Sequence, residues 1–208
     1  ASLLNIQGTR PQDISPYVDW INIMTYDLHG SWDPITGFNA GMRSPQGDTS
    51  MFSVNETLLN YLNLGISPSK LNLGMASYGR TFTLASTSTC AAGQPVIGSG
   101  PLSIEPCSNP EDGFISYYEA EMLLKNNNQY VKSYDSVLGG TQVCNTVTKV
   151  WFNYDDLRSI EDKINLTISK NLKGGFVWAI SLDDFVGTPK YPLISKIRTM
   201  FNQIPMSS

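Results

Sequence analysis

Three short apolar runs, Trp20–Tyr26, Leu71–Ala76 and Phe176–Ile180, constrain this chain more than any other feature. Each is nearly continuous in apolar residues rather than alternating. A strand with one wet face alternates, whereas a strand covered on both faces does not, and parallel sheets packed between helices are built from the second kind. Each run also gives way abruptly to polar and aromatic groups: Tyr26-Asp27, Ser77-Tyr78-Gly79-Arg80 and Ser181-Leu182-Asp183-Asp184. Ligands of α/β sheets and barrels sit at the C-terminal strand ends, so these groups are the first candidates for a site.

Helical signals fill the gaps. Ser53-Val54-Asn55-Glu56 reads as a capping box, with Leu58, Leu59 and Leu62 behind it as an apolar face and Gly65 and Pro68 as its stop. Asp155 and Asp156 suit the N-terminal dipole of a second helix, in which Leu157, Ile160, Ile164, Ile168 and Leu172 share a face and Gly174-Gly175 marks the end. A last helix is expected over Tyr191–Phe201. Strands alternating with helices indicate an α/β fold. Between the second and third strands lie residues 81–152, first rich in Ser, Thr, Gly and Pro. They then carry a helix signal at Tyr117–Leu124 and strand-like pieces at Val131–Leu138 and Val147–Trp151. About seventy residues is too long for a bare loop, so this stretch is read as an inserted α+β subdomain.

Composition excludes several function classes. The 208 residues are 41% hydrophobic and carry a net charge of −4 without a basic block, which gives nucleic-acid binding no support. No apolar run reaches the length that spans a membrane. The lone His29 has no Cys, Asp or Glu cluster at ligand spacing and no nucleophile motif nearby, so neither a metal nor a cofactor is expected. Cys90 and Cys107 lie in one loop-like stretch and are candidates to pair, with Cys144 left free or paired elsewhere. Glycosylation sequons at Asn55 and Asn165 tilt the reading from cytosolic thiols toward a secreted protein.

Four blocks, "INIMTYDLHGSWDPITGFN", "LNLGMASYGRTFTL", "GFISYYEAEM" and "GGFVWAISLDDF", resemble consecutive segments of family 18 glycoside hydrolases, the chitinases and chitinase-like lectins. The resemblance implies the C-terminal part of a (β/α)8 TIM barrel. Strands six to eight would be Trp20–Tyr26, Leu71–Ala76 and Phe176–Ile180, with a chitin-insertion subdomain inserted between strand seven and its helix. The division would be 1–80 and 153–208 as partial barrel and 81–152 as insertion. One departure stands out. The family's Asp-x-x-Asp-x-Asp-x-Glu run, which carries the general acid, has no counterpart at that spacing here. A full barrel of this kind takes about 250 residues before insertions, so the chain reads as a piece lacking the earlier strands.

The resemblance also assigns roles. Family 18 uses the substrate's own N-acetyl group as nucleophile, so the protein must hold the acetamide and balance its developing charge. Tyr26 and Asp27 match the catalytic acetamide-contacting pair, with Met24 lining the floor. Trp32, Tyr78, Arg80, Glu119 and Trp178 match substrate-binding positions. For Arg80 the alternative, which can hold alongside, is an ion pair with Asp183 or another local carboxylate; for Glu119, a solvent-exposed helix position; for Trp178, a core side chain. The implied activity is hydrolysis of chitin or N-acetylglucosamine oligomers by the parent protein, with the isolated segment inactive. The alternative is a non-hydrolytic chitin- or oligosaccharide-binding lectin. The implied partners are chitooligosaccharides and either the missing N-terminal half of the barrel or another copy of the chain.

Overall fold

A computed structural model describes residues 8–45, 52–87, 89–101, 103 and 111–203. The expected parallel strands are there: β1 (Ile21–Ile23), β2 (Leu71–Ala76) and β9 (Gly174–Trp178) form one sheet in the order β1-β2-β9. Both pairings are parallel, with Ile21 opposite Leu71 and Ala76 opposite Trp178. β1 is three residues long because the backbone turns at its end. The Thr25 N–H donates back to the Ile23 carbonyl (2.9 Å), and Thr25 Oγ1 donates to the Gly74 carbonyl (2.7 Å). Tyr26 and Asp27 therefore lie beyond the ladder, on a backbone that Asp27 takes into the left-handed region (φ 54°).

After a first short turn, α1 (Pro11–Ile14), the connection from β1 to β2 runs through α2 (Val54–Asn63). Ser53 Oγ accepts from the Glu56 N–H (3.2 Å) as its cap. The buried face is Val54, Thr57, Leu58 and Tyr61, which packs with Ile23, Ile66 and Leu71. Leu59, expected on that face, is 45% exposed. The helix before β9 is α4 (Leu157–Ser169), capped by Asp156 and burying Ile160, Ile164 and Thr167. It ends at Asn171, which takes φ 52°, while Gly174-Gly175 opens β9 rather than closing the helix. Lys163 and Asp155 form an ion pair buried beneath α4. The last helix, α5 (Pro192–Asn202), is close to expectation.

Between β2 and α4 the chain builds a second, antiparallel sheet. Its strands are β3 (Tyr78–Leu84), β4 (Val96–Ser99), β5 (Phe114–Ser116), β6 (Val131–Asp135), β7 (Gly140–Asn145) and β8 (Val150–Tyr154). The order is β4-β3-β8-β7-β6, with β5 also on β3, and α3 (Tyr117–Asn126) follows β5. The sheet starts at Tyr78 and ends at Tyr154, so the boundary expected at residue 80 falls inside β3. Gly79 permits the β3–β8 contact, because any Cβ there would overlap the Asn153 carbonyl. Ser77 is the joint between the sheets: its N–H and Oγ donate to the Trp178 and Ala179 carbonyls (3.0 and 2.6 Å), and its carbonyl accepts from the Tyr117 N–H.

The cysteine pairing differs from expectation. Cys90 is bonded to Cys144 on β7, with Cα atoms 5.9 Å apart. Nearness in sequence suggested Cys107, but β7 pairs with β8, and its Cys144 joins Phe82, Leu84 and Trp151 in a buried cluster against which Cys90 packs. Cys107 itself lies outside the described residues. Asn55 sits half-buried on α2 and Asn165 exposed on α4. Among the described residues no helix is long and apolar enough to cross a membrane.

Candidate functional site

Asp27, Tyr78 and Arg80 meet where β1 ends and β3 begins. Arg80 Nε and Nη2 both donate to Asp27 Oδ1 (3.0 and 2.7 Å), and Nη1 donates to Glu111 Oε1 (2.7 Å). The guanidinium is buried, at 9% side-chain exposure, while Asp27 is 42% exposed. Three rings surround it at 5.1 to 5.6 Å: Trp32, Tyr78 and Phe114. Such contacts suit a planar, weakly hydrated cation. The ion pair considered for Arg80 forms with other local carboxylates, Asp27 and Glu111, and not with Asp183. Asp183 is fully buried and accepts from the adjacent Asp184 N–H and from the Leu193 and Ile194 N–H groups at the start of α5.

Electrostatics follow from this packing. Burial, then the neighbouring Asp27 charge, pushes the Tyr26 phenol up to about 12. Tyr78 is raised further, by burial first and then by the neighbouring Asp27 carboxylate. Burial disfavours the Arg80 charge, but Asp27 and Glu111 outweigh it and raise its pKa. At neutral pH both phenols therefore stay protonated and Arg80 stays charged. Tyr26 is 6% exposed and packs edge-on against Tyr78 and Phe176, with ring centroids 6.0 and 6.1 Å away.

A buried amide pair holds the Asp27 loop in place. Asn39 Oδ1 accepts from the Asp27 N–H (2.8 Å), and the Asn39 N–H donates to Asn153 Oδ1 (2.6 Å). Asn153 Nδ2 donates to the Gly37 carbonyl (2.9 Å), so β8 supports the loop after β1. Sequence reasoning missed Asn39, Asn153 and Glu111. The asparagines carry no local signal, since their partners are 114 residues apart.

The remaining candidates divide. Met24, Trp32 and Trp178 are 59%, 56% and 59% exposed, a cost that a folded chain bears where a ligand or partner covers the surface. Trp178 is thus not a core side chain. Glu119 is not the exposed helix position considered as the alternative: it is 4% exposed, and its carboxylate accepts from the Ser116 N–H and Oγ and from Ser103 Oγ. It completes the capping box of α3 and is not solvent-exposed. His29 is a loop residue, with Nδ1 3.0 Å from Asp33 Oδ2. A cavity of about 440 Å³ lined by His29, Asp33, Phe38, Phe52 and Leu138 includes none of Tyr26, Asp27 or Arg80. Among the described residues no group of three His, Cys, Asp or Glu side chains is placed to hold a metal. The Asp27–Arg80 cluster can exchange several hydrogen bonds with a neutral polar group, and the exposed Trp32 ring beside it can cover an apolar face.

Comparison with known proteins gives the chain's relatives. Residues 5–183 match the model of "Glycosyl hydrolases family 18". A relative described as "Probable chitinase 2" of Drosophila melanogaster is 38% identical over 191 residues, covering 86% of this chain and 37% of that protein. The group IV chitinase of Ostrinia furnacalis, solved in complex with allosamidin, superposes with a TM-score of 0.85 at 30% identity, over 92% of this chain and 52% of the other. Human YKL-39, described as a pseudo-chitinase with retained chitooligosaccharide binding, superposes with a TM-score of 0.81 at 27% identity, over 92% and 53%. The chain spans about half the length of these structures and less of the curated relative.

Proposed function

The chain belongs to glycosyl hydrolase family 18, and from that premise we propose that it supplies the acetamide-holding half of a chitin-hydrolysing site. β1, β2 and β9 are read as strands six, seven and eight of a TIM barrel, and the antiparallel sheet with α3 as its chitin-insertion subdomain. The observation that carries the proposal is the half-exposed Asp27 carboxylate, fixed by Arg80 at the end of a parallel sheet, with Trp32 and Trp178 exposed. An N-acetylglucosamine unit offers an amide N–H for a carboxylate, a carbonyl oxygen for a phenol and a CH-rich face for indole.

In the complete protein the acetamide carbonyl oxygen would attack the anomeric carbon and displace the leaving sugar, which needs a proton from a carboxylic acid. Asp27 would orient the acetamide by accepting from its N–H and stabilise the positive charge that develops as the oxazolinium ring closes. Tyr26 and Tyr78, held protonated by burial and Asp27, are the phenols beside it. Trp178 and Trp32 would flank the sugars, with Met24 on the floor. The acid is assigned to a part of the parent protein outside these 208 residues. The binding partner completing the site is then the rest of the barrel. Secretion and glycosylation at Asn55 and Asn165 belong to the same reading.

Purified residues 1–208 are expected to give no turnover of a fluorogenic chitooligosaccharide, and measurable turnover contradicts that assignment of the acid. A non-hydrolytic oligosaccharide-binding parent is the second reading, supported by the likeness to the pseudo-chitinase YKL-39. The two separate on whether the parent carries a Glu at the acid position.

A further inference from the structure

Trp32 sits in a closed four-residue turn. The Asp33 N–H donates to the Gly30 carbonyl (2.9 Å), and Asp33 Oδ2 accepts from the Gly30 N–H (3.2 Å) while lying 3.0 Å from His29 Nδ1. The Trp32 ring folds back over its own turn and covers Gly30, which is buried. A Cβ on Gly30 would overlap the six-membered part of the indole, lying 2.7 Å from Cζ2 and nearer still to Cη2 and Cζ3. Gly30 is not among the glycines with φ in the left-handed region. The backbone therefore does not demand glycine here; the ring does.

We propose that Gly30 is a positioning residue for Trp32, its bare Cα being the seat that keeps the indole against Arg80. The ring centroid lies 5.1 Å from the Arg80 guanidinium carbon, and that same guanidinium holds Asp27. An added methyl meets only the far end of a side chain that rotates about two bonds, so the ring yields rather than the turn. The indole then leaves Arg80, and one wall of the sugar site moves while the fold stays. The consequence for ligand rests on the reading of Trp32 as a sugar-contacting wall; the seating of the ring does not.

The test uses Gly30→Ala and Trp32→Phe, alone and combined, in residues 1–208. The phenyl ring introduced by Trp32→Phe is shorter and clears an alanine at position 30. Without sugar, the Arg80 Nε–H resonance reports the ring current of the overlying indole. Gly30→Ala is expected to shift that resonance when Trp32 is present and to add nothing in the Trp32→Phe background. Chitotetraose affinity is expected to fall about two- to fivefold, the range of an exposed cation–π contact, again only with Trp32 present. An unmoved resonance in Gly30→Ala, or an equal added effect in both backgrounds, overturns the proposal. If residues 1–208 bind no chitotetraose, the sugar reading fails, and the resonance still decides the seat.

Discussion

Asp27 and Arg80 explain why an apolar strand gives way to charged and aromatic groups. Neither carries its role alone: Arg80 is nearly buried and needs a carboxylate, and Asp27 is half-exposed and needs an anchor. Tyr26 completes the group and has a measurable consequence. Its folded-state pKa of about 12 lies above the ordinary 10.0, so its contribution to stability is complete below pH 10 and is lost as pH rises through about 12. Tyr26→Phe should remove that part of the alkaline decline, and thermal melts across this window showing an unchanged decline would count against the buried, Asp27-facing phenol. The site was only partly legible. Tyr26, Asp27, Tyr78 and Arg80 follow apolar runs, and chain order alone marks them. Glu111 precedes β5 in a stretch without periodicity, and only folding brings it to Arg80. The capping role of Glu119 was missed although its signal was present: Ser116 stands three residues before it, the spacing of a capping box.

The two caps that shape helices α3 and α4 show where local sequence is a sufficient guide. Asp156 accepts from the Arg158 and Ser159 N–H groups, both at 3.0 Å, and pairs with Lys132 at 2.8 Å. Burial works against its charge, but Lys132 and the capping N–H groups outweigh it and hold its pKa below the ordinary 3.8. A depressed carboxylate stabilises the fold above its unfolded pKa, and that stability is lost as pH falls through the lower folded value. Asp156→Ala should therefore cost about 1 kcal/mol at neutral pH, more if the Lys132 pair contributes, and the difference should shrink in acid. Equal costs at neutral and acid pH would contradict this. Strands were harder to read than helices. β7 is buried along its whole length, so Gly140–Asn145 shows neither alternation nor an apolar run. β1 loses its expected last residues to the Thr25 turn, a tertiary feature that Gly74 helps to set.

Among the described residues the parallel sheet has three strands, with β1 and β9 at its edges. Parallel sheets are ordinarily covered on both faces, and their free edges invite pairing. Trp178, Ile180 and Met24 are each more than half exposed around this sheet. Residues 1–208 alone should therefore self-associate or bind the remaining barrel units, and a stable monomer in light scattering at working concentration would argue otherwise. The most direct measurement of the central claim is calorimetric titration of this chain, wild type and Asp27→Ala, with chitotetraose and with cellotetraose. The two sugars differ at the group the Asp27–Arg80 cluster is held to grip, the acetamide. Wild type should bind chitotetraose and discriminate strongly against cellotetraose. Asp27→Ala should lose most of that preference while keeping its fold. Equal binding of both sugars, or an undiminished preference without Asp27, would contradict the account.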